Sequence, residues 1–157
     1  MINVKDKETY QISKEDIILK LENSEYKERY KIYDTYLGQD AHRWRRGYKS
    51  KFQQLLVDDN LKFFAYIKFY VDGGKKYALV AGKSGSYIVN NTSGCDLGFY
   101  LHPQKGCAKK WLHDNEKQWC QTEFLVIESN AEEKEKSCKE AEKIERYLVS
   151  TFGLFES

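Results

Sequence analysis

The chain has one proline, Pro103, one methionine and five arginines in 157 residues, and its four cysteines include no Cys-x-x-Cys pair. The cysteine spacing (Cys95, Cys107, Cys120, Cys138) lacks the paired pattern of a closed zinc site. These thiols read as reduced, small and partly buried. No apolar run is long enough to cross a membrane, and the Met1-Ile2-Asn3-Val4-Lys5 start does not read as a signal peptide, so the expected location is cytoplasmic. The net charge is +2, which provides no global basic field for a polyanion. Arginine is absent between Arg46 and Arg146.

Charged residues make up 32% and hydrophobic ones 41%, the balance of a globular chain that buries an ordinary core. One domain is expected over 1–157, with a helical N-terminal part at 1–60 and a mixed core at 61–157. Twelve tyrosines raise the aromatic share to 15%. They serve a core and its surface, or a surface on which bases or a partner stack.

The predicted fold class is α+β. Residues 13–37 read as helix, with a break near Asn23-Ser24. Ser13 is placed to cap it, Asp16 stands at the reciprocal position, and Tyr26, Tyr30, Tyr33 and Leu37 mark one face. A second helix is expected over 41–57. The run Phe63-Phe64-Ala65-Tyr66-Ile67-Lys68-Phe69-Tyr70-Val71 is aromatic and β-branched, as in a strand. Asp72-Gly73-Gly74-Lys75 is a hairpin turn, and Lys76-Tyr77-Ala78-Leu79-Val80-Ala81 returns. Helix is expected over 107–118, a buried strand over 122–127 and a last helix over 131–152. The predicted order is helices, then β-β-α-β-α around a small, mainly antiparallel sheet.

The last helix carries the sharpest signal. Ala141, Ile144, Leu148 and Phe152 recur at the spacing of one buried face, and Glu145 falls among them. A carboxylate there must be paired, ligated to a cation or opened onto a cleft, because burying an unpaired charge is prohibitive. Gly82-Lys83-Ser84 follows a strand, but a phosphate loop needs glycine where Tyr77 stands. No serine has a histidine at a recognisable catalytic spacing, and His113 reads as a solvated or capping residue. Arg43, Arg45, Arg46 and Lys49 surround Trp44 and admit two readings. They grip a nucleic-acid backbone, with Trp44 stacking, or they form a solvated helix face beside Asp40 and Asp58.

Over 61–157 the motifs resemble the GIY-YIG nuclease superfamily. Phe64-Ala65-Tyr66 looks like the first hairpin signature, and Val80-Ala81-Gly82-Lys83 like the second, with Val80 in place of a tyrosine. Glu145-Arg146-Tyr147-Leu148-Val149 matches the family's glutamate motif, and Ser157 stands where an asparagine often follows. Folding about Gly73 puts Tyr66 across from Val80. The family's helix arginine has no counterpart, so Lys83, Lys105, Lys109 or Lys110, or an arginine from 43–46, would supply that charge. Lysine is a point charge where arginine offers a bidentate fork.

The resemblance implies a metal-dependent DNA endonuclease of restriction, phage or mobile-element type. Glu145 would hold Mg²⁺, Tyr66 would position or deprotonate the attacking water, and Lys83 would neutralise a nonbridging phosphate oxygen. Arg43, Trp44, Arg45, Arg46 and Lys49 would hold the nucleic acid. The alternative is a non-catalytic binding protein or inhibitor from a mobile element, using the same scaffold on a protein or nucleic acid.

Overall fold

A computed structural model describes residues 11–34, 63–83, 107–129 and 134–156. In chain order its elements are α1 (Lys14–Glu22), β1 (Tyr30–Asp34), β2 (Phe64–Asp72), β3 (Lys75–Lys83), α2 (Cys107–Asp114), β4 (Gln118–Glu128), α3 (Lys134–Phe152) and β5 (Phe155–Glu156). The expected second helix at 41–57, and Arg43, Trp44, Arg45, Arg46, Lys49 and Ser157, lie outside the described residues. The chain is α+β, and its described strands form a five-stranded sheet of order β1-β4-β2-β3-β5. All pairings are antiparallel except β3 with β5.

The predicted N-terminal helix is corrected over part of its length. Ser13 caps α1 as expected, its hydroxyl accepting from the Asp16 N–H at 3.2 Å. The helix then stops at Glu22, and Glu28 takes a left-handed φ of 65° that no continuing helix tolerates. Tyr30 to Asp34 run as a strand against β4, Tyr30 opposite Ile127 and Asp34 opposite Glu123. The tyrosine spacing that mimics a helical face is overridden by sheet pairing. Likewise α2 ends at Asp114 rather than 118. Glu116 is left-handed (φ 54°), and the Lys117 N–H closes on the Leu112 carbonyl at 2.9 Å before β4 begins.

The hairpin turns on Gly73 and Gly74 (φ 60° and 77°), where positive φ favours glycine. Its axis falls between the two glycines, and the register shifts between Lys68 and Phe69. Tyr66 therefore faces Gly82, and Lys68 faces Val80, which corrects the expected Tyr66–Val80 pairing. On its other side β2 also shifts. Lys68 pairs with Phe124 and Tyr70 with Trp119, so 120–123 of β4 stand opposite Phe69 alone. Such a bulge opens backbone groups that something else must satisfy.

Alternation along β2 separates two cores. Ala65, Ile67 and Phe69 pack with Ile17 and Leu21 of α1 and with Ile144, Leu148 and Phe152 of α3. Tyr70, Leu79 and Val80 pack with Trp111 and Leu112 of α2 and with Trp119 and Phe155. Gly153 (φ 65°) stops α3, which lets Phe155 and Glu156 turn back beside Val80 and Ala81.

Candidate functional site

Glu145 lies on the flank of α3 whose inner residues Ala141, Ile144, Leu148 and Phe152 are buried. It is half-buried, and burial raises its pKa first. Glu156 and Glu142 push the same way, while Lys83 and Arg146 oppose them. β5 brings Glu156 to this edge by pairing it with Ala81, two residues before Lys83. Glu142 accepts from Lys83 Nζ at 3.3 Å and is also bound by Arg146, four residues on. The Lys83 hydrogen bond and charge, with Arg146, hold its pKa down. The result is a patch at the β3–α3 edge with Lys83 and Arg146 interleaved among Glu142, Glu145 and Glu156.

Of the three expected catalytic residues, Lys83 reaches α3 at Glu142, three residues before Glu145, by a 3.3 Å contact, and its charge acts on Glu145 from there. The third does not join them. Tyr66 is 3% exposed and lies on the sheet face opposite α3, its ring 6.4 Å from that of Phe64. Its neighbours in register are Gly82 and Val126.

Among the described residues no group of three or more His, Cys, Asp or Glu side chains is placed to hold a metal ion. The donors fit a simpler arrangement, in which Mg²⁺ keeps several waters and takes one or two carboxylates plus the phosphate oxygens of a substrate. Glu145 is suited to such a role, because a cation would relieve the cost of its burial.

A second ionisable group is more deeply buried. Lys68 is 0% exposed, donates to the Glu123 carbonyl at 3.1 Å, and lies 5.3 Å from the Phe124 ring and 5.6 Å from the Trp119 ring. The bulge at 120–123 frees that carbonyl, and the lysine satisfies it. Burial lowers the ammonium to about 7, with Lys76 adding to the shift and Cys120 and Glu123 opposing it. The Glu123 carboxylate in turn meets Lys14 at 2.5 Å and Lys76 at 3.2 Å, joining the start of α1 to β3. A lysine between Tyr66 and Tyr70 on one strand face was the available signal for this network. Its partner Glu123 depends on a bulge that no local pattern announces.

Arg29 completes the polar framework. Its Nη2 donates to the Glu128 carbonyl at 3.0 Å and to the Glu140 carboxylate at 2.6 Å, tying the turn before β1 to α3. Clefts of about 360 and 390 Å³ lie beside it. No family model matches the sequence, and no curated protein or solved structure matches it significantly.

Proposed function

We propose that the chain is a metal-dependent endonuclease of the GIY-YIG type, acting on DNA phosphodiesters at the β3–α3 edge. The observation that carries this reading is the Lys83–Glu142 ion pair, which sets Lys83 within one helical turn of Glu145. Lys83 and Glu145 each belong to one of the short motifs that resemble the family, and nothing in their sequence separation brings them together. Glu145 offers a hard oxygen ligand to a divalent cation. When bound, that cation supplies charge stabilisation at the phosphate and the leaving oxygen. Lys83 faces a nonbridging oxygen as a point charge, and its contact with Glu142 fixes the direction of the flexible ammonium. Tyr66 is given no part, because the sheet stands between it and Glu145.

The test is cleavage of supercoiled plasmid, linear duplex and single-stranded DNA with Mg²⁺ or Mn²⁺. Glu145→Gln is expected to lower the rate by on the order of a hundredfold or more, and Lys83→Ala by about tenfold. Tyr66→Phe is expected to leave it unchanged. Wild-type protein that cuts none of these substrates overturns the reading. A second reading, a non-catalytic binding protein on the same scaffold, is favoured by the Lys83–Glu142 pair, which gives the lysine a structural role without any substrate. It predicts that Glu145→Gln retains full biological function.

A further inference from the structure

The outward side of α3 carries a charge pattern that runs beyond the Glu145 site and shares only Arg146 with it. Lys136, Lys139, Lys143 and Arg146 recur at intervals of three, four and three residues, and all are exposed. At about 100° per residue they form one ridge, turned away from the buried Ala141, Ile144 and Leu148. Acidic residues usually break such a ridge into alternating pairs. Here the helix's acids are drawn to its flanks. Glu140 is taken by Arg29 at 2.6 Å, Glu142 by Lys83 at 3.3 Å and by Arg146, and Glu145 is half-buried. Glu135, in the first turn, is the exposed acid at the ridge's beginning. Lys139 and Lys143 make no ion pair among the described residues, and they overhang the cleft of about 390 Å³ whose wall includes Tyr26 and Arg29.

We propose that this ridge docks the phosphate backbone of duplex DNA. The choice of DNA as the polyanion rests on the nuclease reading above; the ridge itself does not. From Lys136 to Arg146 a helix advances about 15 Å. A DNA strand carries a phosphate about every 3.4 Å of duplex axis and winds around that axis as it rises, so a straight ridge of this length meets roughly two to three successive phosphates. Contacts of this kind position a duplex without reading its sequence. Arg146 follows Glu145 directly in the helix, so a duplex on the ridge passes beside the candidate site. With a net charge of only +2, attraction has to be local, and Lys139 and Lys143 set two exposed cations without ion pairs among the described residues between Lys136 and Arg146.

Binding of a short fluorescein-labelled duplex to the full chain, followed by anisotropy between about 50 and 200 mM salt, tests the proposal. The double variant Lys139→Gln, Lys143→Gln is expected to bind on the order of tenfold more weakly, with the log–log salt slope reduced by about 2. Lys20→Gln with Lys27→Gln removes the same charge from exposed positions off the ridge and is expected to change little. Equal losses in the two double variants, or none in the ridge variant, overturn the proposal. So does a wild-type chain that ignores the duplex but binds a poly-glutamate peptide through Lys139 and Lys143, which makes the ridge a surface for acidic protein. Glu145→Gln separates the two ideas, since it is expected to retain duplex binding. Ridge-dependent binding by a wild type that never cleaves defeats the nuclease reading alone. Cleavage that is indifferent to the ridge variant in both rate and KM defeats the ridge alone.

Discussion

The two sides of the sheet treat charge in opposite ways. On the α3 side the core is apolar, and its charged groups are kept to the helix flanks, where Glu145 stays half-open beside Lys83. On the α2 side a lysine is sealed beneath Phe124 and Trp119 and reaches only protein groups. Both ionisable groups have displaced pKa values, and burial is the first cause of each. The difference is access. Lys68 closes a gap in the backbone ladder, while Glu145 can still exchange partners. A perturbed group marks a candidate for chemistry only where the surrounding structure leaves it somewhere to act.

The comparison is broken most forcefully by emptying either core. Trp111, edge-on to Tyr70 at 4.9 Å between centroids, anchors the α2 side. Trp111→Ala is expected to cost about 3–5 kcal/mol and Leu148→Ala about 2–5 kcal/mol in urea unfolding. Because the two residues belong to separate cores, the double variant should come close to the sum. A large departure from additivity means that the sheet does not insulate its faces, and the contrast between Lys68 and Glu145 loses its basis.

Lys68→Met tests the sealed side directly. The lysine's folded value of about 7 lies below its ordinary 10.5, so between those values the unfolded chain binds more protons than the folded one. Wild-type stability should therefore rise with pH from about 7 towards 10.5 and be lowest, and flat with respect to this group, below 7. Methionine keeps the apolar stem and removes the charge, at the cost of the bond to the Glu123 carbonyl. The variant is expected to be more stable by about 1–4 kcal/mol at pH 6, with the gap closing as pH rises. Parallel pH curves for the two proteins show that the ammonium bears no burial cost.

How much of this was legible beforehand follows from how local each signal is. The hairpin could be read because its aromatic run and the Asp72-Gly73-Gly74-Lys75 turn are self-sufficient. The buried face of α3 could be read because Ala141, Ile144, Leu148 and Phe152 keep helical period over the whole element. β1 could not, since Tyr26, Tyr30 and Tyr33 keep the spacing of a helical face, and only pairing with β4 sets Tyr30 to Asp34 in the sheet. The bulges at Lys68 and at 120–123 are set by three strands together, so the register of Tyr66 came out two residues from its expected partner. Of the site, Glu145 was legible as a carboxylate among the buried positions of α3, whereas the Lys83–Glu142 contact depends on how β3 packs against that helix. Glu156 was not, because it reaches the edge through a two-residue parallel strand after Gly153.

Arg29 offers a smaller probe on the flank of α3 away from Glu145. Its guanidinium bonds the Glu128 carbonyl and Glu140 from a partly buried position. Arg29→Met is expected to cost about 1–2 kcal/mol, chiefly by removing a charged donor from Glu140 and from the Glu128 carbonyl. Without the guanidinium, the Glu140 charge acts more fully on Lys139 and Lys143, so duplex binding should weaken in the same variant. Unchanged binding would show that drawing Glu140 off the ridge has no bearing on its charge.

Glu145→Gln is expected to have the smallest effect on stability and the largest on activity. A folded pKa raised above 4.5 means that the folded state holds this proton more tightly than the unfolded chain does. Its stabilising contribution is complete below the unfolded value and is lost as pH rises through the folded one. At neutral pH the ionised carboxylate therefore works against the fold, and glutamine should be slightly the more stable, by under about 1 kcal/mol once solvent screening of a half-open group is allowed for. The advantage should vanish in acid and grow towards neutrality. Mg²⁺ should raise the wild type's thermal midpoint and leave the variant's unchanged, since a ligand bound only to the folded state stabilises it. If glutamine is instead less stable at neutral pH and Mg²⁺ moves neither protein, attraction from Lys83 and Arg146 outweighs burial, and Glu145 is a member of a local ion-pair network. If both expectations hold, the same carboxylate costs stability and awaits a cation, the trade expected of a group kept for chemistry rather than for the fold.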